Sequence, residues 1–128
     1  MSNIITRLKE SAGFVSLSGA TYEQIERAEN SLGLKFSDEY REYLTAFGVA
    51  SAAGHEFTGI CASSRLNVVD VTELERQQNI VPNDWYVVEQ ANIDGIVIWQ
   101  ASTGEVYQTI PNGLPIKLCD SLSEYLDM

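Results

Sequence analysis

Positive charge is what this chain has least of. Eight Lys and Arg stand against eighteen Asp and Glu, a formal net charge of −10 over 128 residues. Nucleic acid and anionic membrane both demand clustered Lys and Arg, so the composition argues against either as a partner. The deficit deepens along the chain, because residues 77–128 hold seven acids and only Lys117. Histidine occurs once, at His55, and cysteine twice, at Cys61 and Cys119. Two cysteines are too few for a disulfide framework, and neither C-x-x-C nor H-x-x-x-H spacing is available for zinc. No G-x-x-x-x-G-K or G-x-G-x-x-G loop offers a phosphate cradle. No apolar run approaches the roughly 20 residues that span a bilayer. Met1-Ser2-Asn3 has neither the basic nor the apolar part of a secretory leader, so the cytoplasm is the expected location. No cofactor is expected.

What is present is an ordinary globular balance, 45% hydrophobic and 20% charged, in a length that suits one domain spanning 1–128. The clearest patterning lies between Thr21 and Gly48. Thr21 and Gln24 have capping-box spacing, Ile25, Ala28 and Leu32 recur on one helical face, and Gly33 is placed to end that helix. Ser37 is the next N-cap, followed by Asp38 and Glu39 where the helix dipole favours negative charge. Tyr40, Tyr43, Leu44 and Phe47 then fall at i, i+3, i+4 and i+7, with Gly48 after them. The link Leu34-Lys35-Phe36 is short, so the spacing predicts an αα-hairpin whose apolar faces need a partner layer.

Before this hairpin, Asn3 to Ala12 reads as a short helix capped by Ser2, and Phe14 to Ala20 as a connection. After it, Val49 to His55 is small and poorly patterned and reads as a loop, a place where ligand contact is common. Glu56 to Ile60 and the β-branched Leu66 to Val71 read as strands, and the Thr72–Glu75 capping box as the start of a helix to about Gln78. From Pro82 the pattern becomes extended. Trp85–Gln90, Ile93–Ala101 and Glu105–Ile110 are separated by turns containing Asp94-Gly95 and Thr103-Gly104, so they are antiparallel neighbours. Pro111-Asn112-Gly113 makes a further turn, Pro115–Cys119 an edge strand, and Ser121–Glu124 caps a closing helix with Leu122, Tyr125 and Leu126 inward. The expected fold class is therefore α+β, with helices packed on one face of a mostly antiparallel sheet.

Catalytic constellations do not emerge. His55 has Cys61 six residues away but no cysteine-protease context, and reads as a loop or surface histidine. Asp84 and Asp94 are turn formers, since an EF-hand needs alternating oxygens and a closing Glu. The pairs Glu23/Glu26, Glu39/Glu42 and Glu73/Glu75 read as solvated helix faces. Trp85 and Trp99 have two readings: protein-binding hot spots flanked by acids, or tryptophans buried at a sheet margin. Taken as a binding surface, the strand ends and turns of the meander nominate Asp84, Trp85, Glu89, Asp94, Trp99 and Glu105.

The run Ile25…Ala28-Glu29…Leu32-Gly33…Asp38…Tyr40…Tyr43-Leu44…Gly48 resembles the amino-terminal signature of the SUKH (Smi/Knr-like) superfamily. Phe36-Ser37 stands where Leu-Pro is usual, and Phe47-Gly48-Val49 where Asn-Gly is usual. The resemblance extends over nearly the whole chain and implies the same α+β layout. It also implies a function. Bacterial members look like immunity proteins that neutralise a cognate toxin domain, commonly a nuclease or another nucleic-acid-modifying enzyme. A basic toxin is the expected partner, and no enzymatic activity is expected. The alternative is an intracellular scaffold or regulatory module, as eukaryotic members resemble.

Overall fold

Polar caps set the helix boundaries, and side-chain periodicity decides which face of each helix is buried. The computed structural model describes residues 4–91 and 93–128, so the Ser2 cap, Asn3 and Asn92 lie outside the described residues. Helix α1 covers Ile4–Glu10, with Ile4 and Leu8 fully buried. Helix α2, Tyr22–Leu32, begins with both halves of the Thr21/Gln24 capping box and ends on Gly33 in the left-handed conformation. Helix α3, Asp38–Phe47, starts at Ser37, whose Oγ accepts from Tyr40 N–H, and ends at Gly48. Tyr40, Tyr43, Leu44 and Phe47 are all buried, as their spacing predicts.

The short α2–α3 link is held by a buried carboxylate. Glu29 is 1% exposed, and its Oε2 accepts from Phe36 N–H at 2.8 Å and lies 3.5 Å from Arg41 Nη1. Lys35 Nζ stands 3.9 Å from the other oxygen. Such a carboxylate is tolerable inside because Phe36 N–H and Arg41 meet Oε2, while Oε1 accepts no hydrogen bond among the described residues and faces only the Lys35 ammonium.

Among the described residues, seven strands form two antiparallel sheets. Val15–Ser16 (β1), Ala50–Ala52 (β2) and His55–Glu56 (β3) make the smaller one. Here the stretch read as a loop is a hairpin, with Ala53 and Gly54 both at positive φ in its turn. Alanine gives no turn signal, which is why the pattern concealed it. The larger sheet runs in the order β4-β5-β6-β7, built from Trp85–Gln90, Val97–Ala101, Val106–Thr109 and Ile116–Cys119. Helix α5, Leu122–Leu126, closes the described chain.

A second correction concerns Leu66–Val71. It is not a strand: helix α4 spans Val68–Arg76 and is capped by Asn67, whose Oδ1 accepts from Val69 and Asp70 N–H. Thr72, expected as the cap, is a buried mid-helix residue whose hydroxyl accepts from Val87 N–H at 3.0 Å. Helix α4 thereby covers the outer edge of β4, an edge that would otherwise invite pairing.

One face of the larger sheet contributes Tyr86, Val88, Ile98 and Val106 to the main core, together with α1, α2, α3 and α5. The other face carries Trp85, Val87, Val97, Trp99 and Ala101, with Val71 of α4 laid against them. The α+β architecture is as the pattern predicts.

A candidate partner-binding cleft

The six residues nominated from the sequence are distributed by strand direction and by one bulge. Trp85 pairs with Ala101 and Gln90 with Val97, so Asp84 and Glu105 lie at one end of the sheet and Asp94 at the other. Trp99 is fully buried and Trp85 is 7% exposed. Trp85 stacks on Tyr107 at 4.1 Å between ring centroids, and Trp99 Nε1 donates to Thr109 Oγ1 at 2.9 Å. Both indoles are thus packed on the sheet, the second of their two readings.

Simple alternation puts Glu89 on the same face as Trp85 and Val87. The register shifts between Val87 and Glu89, leaving Val88 as the extra residue of a bulge. Glu89 therefore points towards the helices. Its Oε1 accepts from Tyr125 O–H at 2.5 Å and lies 3.0 Å from His55 Nδ1, while its Oε2 accepts from Glu56 N–H at 2.9 Å. His55 is half-buried on β3, stacked on Phe57, rather than a loop histidine. Cys61 belongs elsewhere, with its thiol directed to Ser63 O, so His55, Cys61 and a carboxylate do not meet in one cluster.

Where Asp84 and Glu105 lie, three connections converge: the start of α3, the β5–β6 turn and the β7–α5 turn. They enclose a cleft of about 530 Å³ with Asp38, Glu39, Glu42 and Asp120 in its lining. Ser102 and Thr103 form another wall, and they tie the nominated acids to it. The single Ser102 hydroxyl proton is shared between the backbone carbonyls of Lys35 and Asp84, the latter at 3.2 Å, and Thr103 Oγ1 donates to Glu105 Oε2 at 2.8 Å. Glu124 is adjacent, accepting from Asp120 N–H at 2.9 Å. Among the described residues the cations near this end are Lys117, 2.6 Å from Asp120, Lys35, Arg41, which is engaged with Glu29, and Arg76, whose Nη2 donates to Asn83 O beside Asp84. The cleft is acidic.

Its floor is rigid because its polar groups are saturated. Gln100 is fully buried and pairs with Tyr86 across β4 and β5. Gln100 Oε1 accepts from Tyr86 O–H at 2.8 Å and Ser37 Oγ–H at 3.2 Å. Gln100 Nε2 donates to Glu39 Oε1 at 3.0 Å and Gly104 O at 2.9 Å. Glu39 in turn caps the closing helix: it accepts from Leu122 N–H at 2.6 Å, Ser123 N–H at 2.9 Å and Ser123 Oγ–H at 2.8 Å. Burial raises the Tyr86 phenol well above its ordinary value of 10.0, so it stays a neutral donor.

The sequence offered Asp38, Glu39 and Glu42 only as a dipole partner and a solvated face. Nothing local marks them as a cleft, since the enclosing turns come from three distant stretches. Among the described residues no group of three or more His, Cys, Asp or Glu is placed to hold a metal ion. Also among them, no helix is long and apolar enough to cross a membrane.

A helical hairpin and an antiparallel meander, with a carboxylate-lined cleft where their ends meet, make this an α+β protein. The chain belongs to the SMI1-KNR4 cell-wall family (SUKH_5), which matches residues 1–127. No curated protein matches it closely enough to stand as a relative.

Proposed function

We propose that this chain is an immunity protein that binds a cognate bacterial toxin domain and neutralises it by occupancy, without chemistry of its own. The toxin in this reading is a nuclease or another nucleic-acid-modifying enzyme of a polymorphic, contact-dependent toxin system, met in the cytoplasm. Family membership supports a protein partner. The observation that carries the reading is the acidic cleft, in which Asp38, Glu42 and Asp120 gather with Asp84 and Glu105 beside them. Enzymes that grip phosphates need cationic surfaces, and a concave carboxylate-rich surface competes for those same groups. The saturated floor keeps the cleft preformed, which lowers the ordering cost of association. Trp85 and Trp99 serve here as the packed platform behind the binding end. Glu89 holds β3 and α5 in place.

Co-expression with a toxin domain, where the gene beside this chain's encodes one, is the test. The expected result is restored growth and co-purification of the two chains. Undiminished toxicity at full expression of the folded chain overturns the reading.

A further inference from the structure

At the opposite end of the larger sheet, the carboxyl end of α4 meets the β4–β5 and β6–β7 turns around a pocket of about 320 Å³. From this geometry we infer a second binding site, a receptor for a single arginine side chain presented by a partner protein. The site is separate from the acidic cleft, and the inference does not depend on the immunity reading.

Glu75 supplies the charge. It lies in the last turn of α4, where the helix dipole is already negative and a carboxylate gains no help from it. Among the described residues it makes no ion pair. Its neighbour Arg76 is turned away, donating to Leu32 O and Asn83 O. Instead Glu75 Oε2 accepts from Gln90 Nε2 at 2.6 Å and Oε1 from Asn79 Nδ2 at 3.4 Å, neutral donors that fix the carboxylate at the pocket wall. A fixed carboxylate at a helix carboxyl end, without a cation, calls for one.

The rest of the lining selects the kind of cation. Gln78, Asn79, Gln90 and Asn112 surround the space with amides, whose carbonyls accept from the several N–H groups of a planar guanidinium. The volume is at the small end for ligand sites, suited to one side chain and not to a nucleotide or cofactor. The wall is also rigid. Gly95 has φ +71°, and a Cβ there would come within 2.7 Å of Pro111 Cγ, so only glycine lets the two turns touch. Ile80, fully exposed, and Ile110, 39% exposed, adjoin lining residues in sequence, and Ile93, 62% exposed, lies two residues before Gly95. A charged pocket formed by segments that carry exposed isoleucines suits an arginine that is itself flanked by apolar residues, the pattern of an interface anchor.

The probe is the peptide acetyl-Ile-Arg-Ile-amide, titrated into the full chain with amide NMR as readout. Its citrulline counterpart keeps the shape and removes the charge. Saturable shifts are expected at Gln90, Gly95 and the side-chain amides of Gln78, Asn79 and Asn112. Binding should weaken about tenfold or more for citrulline, and equally for Glu75→Gln, whose unchanged background spectrum reports an intact fold. Shifts that fail to saturate, equal binding of the two peptides, undiminished binding to Glu75→Gln, or shifts gathered at Ser102–Glu105 would each overturn the site.

Discussion

A single carboxylate, Glu39, serves α3, α5 and the sheet together. It meets the first two amides of α5 and holds the buried Gln100 amide, while sitting in the first turn of α3 where its charge is favoured. Removing it strips a helix start of acceptors and leaves part of a buried amide unmatched. Glu39→Ala should therefore cost about 2–4 kcal/mol in urea melts. Glu42→Ala, from the same cleft, should change stability by about 0.5 kcal/mol or less. Equal costs would mean that the Glu39 contacts carry no weight. The tyrosines make a second prediction. Burial raises Tyr40, Tyr43 and Tyr86 above the ordinary 10.0, so the folded chain keeps phenolic protons that the unfolded chain releases. Their contribution is fully present well below pH 10 and is lost as pH rises through it and beyond. Each can remove about 1.4 kcal/mol per pH unit. Melts at pH 9, 10 and 11 should show stability falling by about 1 kcal/mol over the first step and about 3 kcal/mol over the second; a flat series contradicts the buried-phenol picture.

Among the elements, the α2–α3 hairpin was the most legible, because caps and period are local signals and both survive in the fold. Thr21, Gly33, Ser37 and Gly48 mark the helix ends as their chemistry predicts. Phe47 closes the buried stripe at 4% exposure, edge-on to Phe14 at 5.1 Å. Phe47→Ala should cost about 3–5 kcal/mol, and a urea-melt difference under about 1 kcal/mol would place that face elsewhere. Helix α4 was misread because Leu66–Val71 is β-branched, and composition outweighed Asn67 as a cap. Val68 and Val71, three residues apart, reach opposite faces of the sheet from its edge, a tertiary role that no local pattern encodes. Asn67→Ala should cost about 1 kcal/mol if the cap matters as its two accepted amides indicate; a melt identical to that of the parent chain would deny it.

For the molecule as a whole, acidity was plain in the composition, but its arrangement was not. Simple alternation would put Glu89 on the wrong face, because one bulge residue, Val88, reverses everything after it. The nominated Asp84 and Glu105 come together at the cleft end, and Asp94 lies at the other, because antiparallel strands send successive turns to opposite ends. Asp38, Glu42 and Asp120 join only through long-range convergence. On the proposed function, this arrangement acts on rates, since charge complementarity works mainly on encounter. The direct measurement is the association rate of the toxin domain with the chain across a salt series, with Asp38, Asp84, Glu105 and Asp120 changed singly to Lys. Glu23→Lys, exposed on α2, serves as the control. At low salt each cleft substitution should slow association about threefold or more, and screening by about 0.5 M salt should erase the difference. Glu23→Lys should have the smallest effect of the five. Rates unchanged by all four cleft substitutions, or slowed as much by Glu23→Lys, would contradict the assignment of the acidic cleft as the surface that meets the toxin.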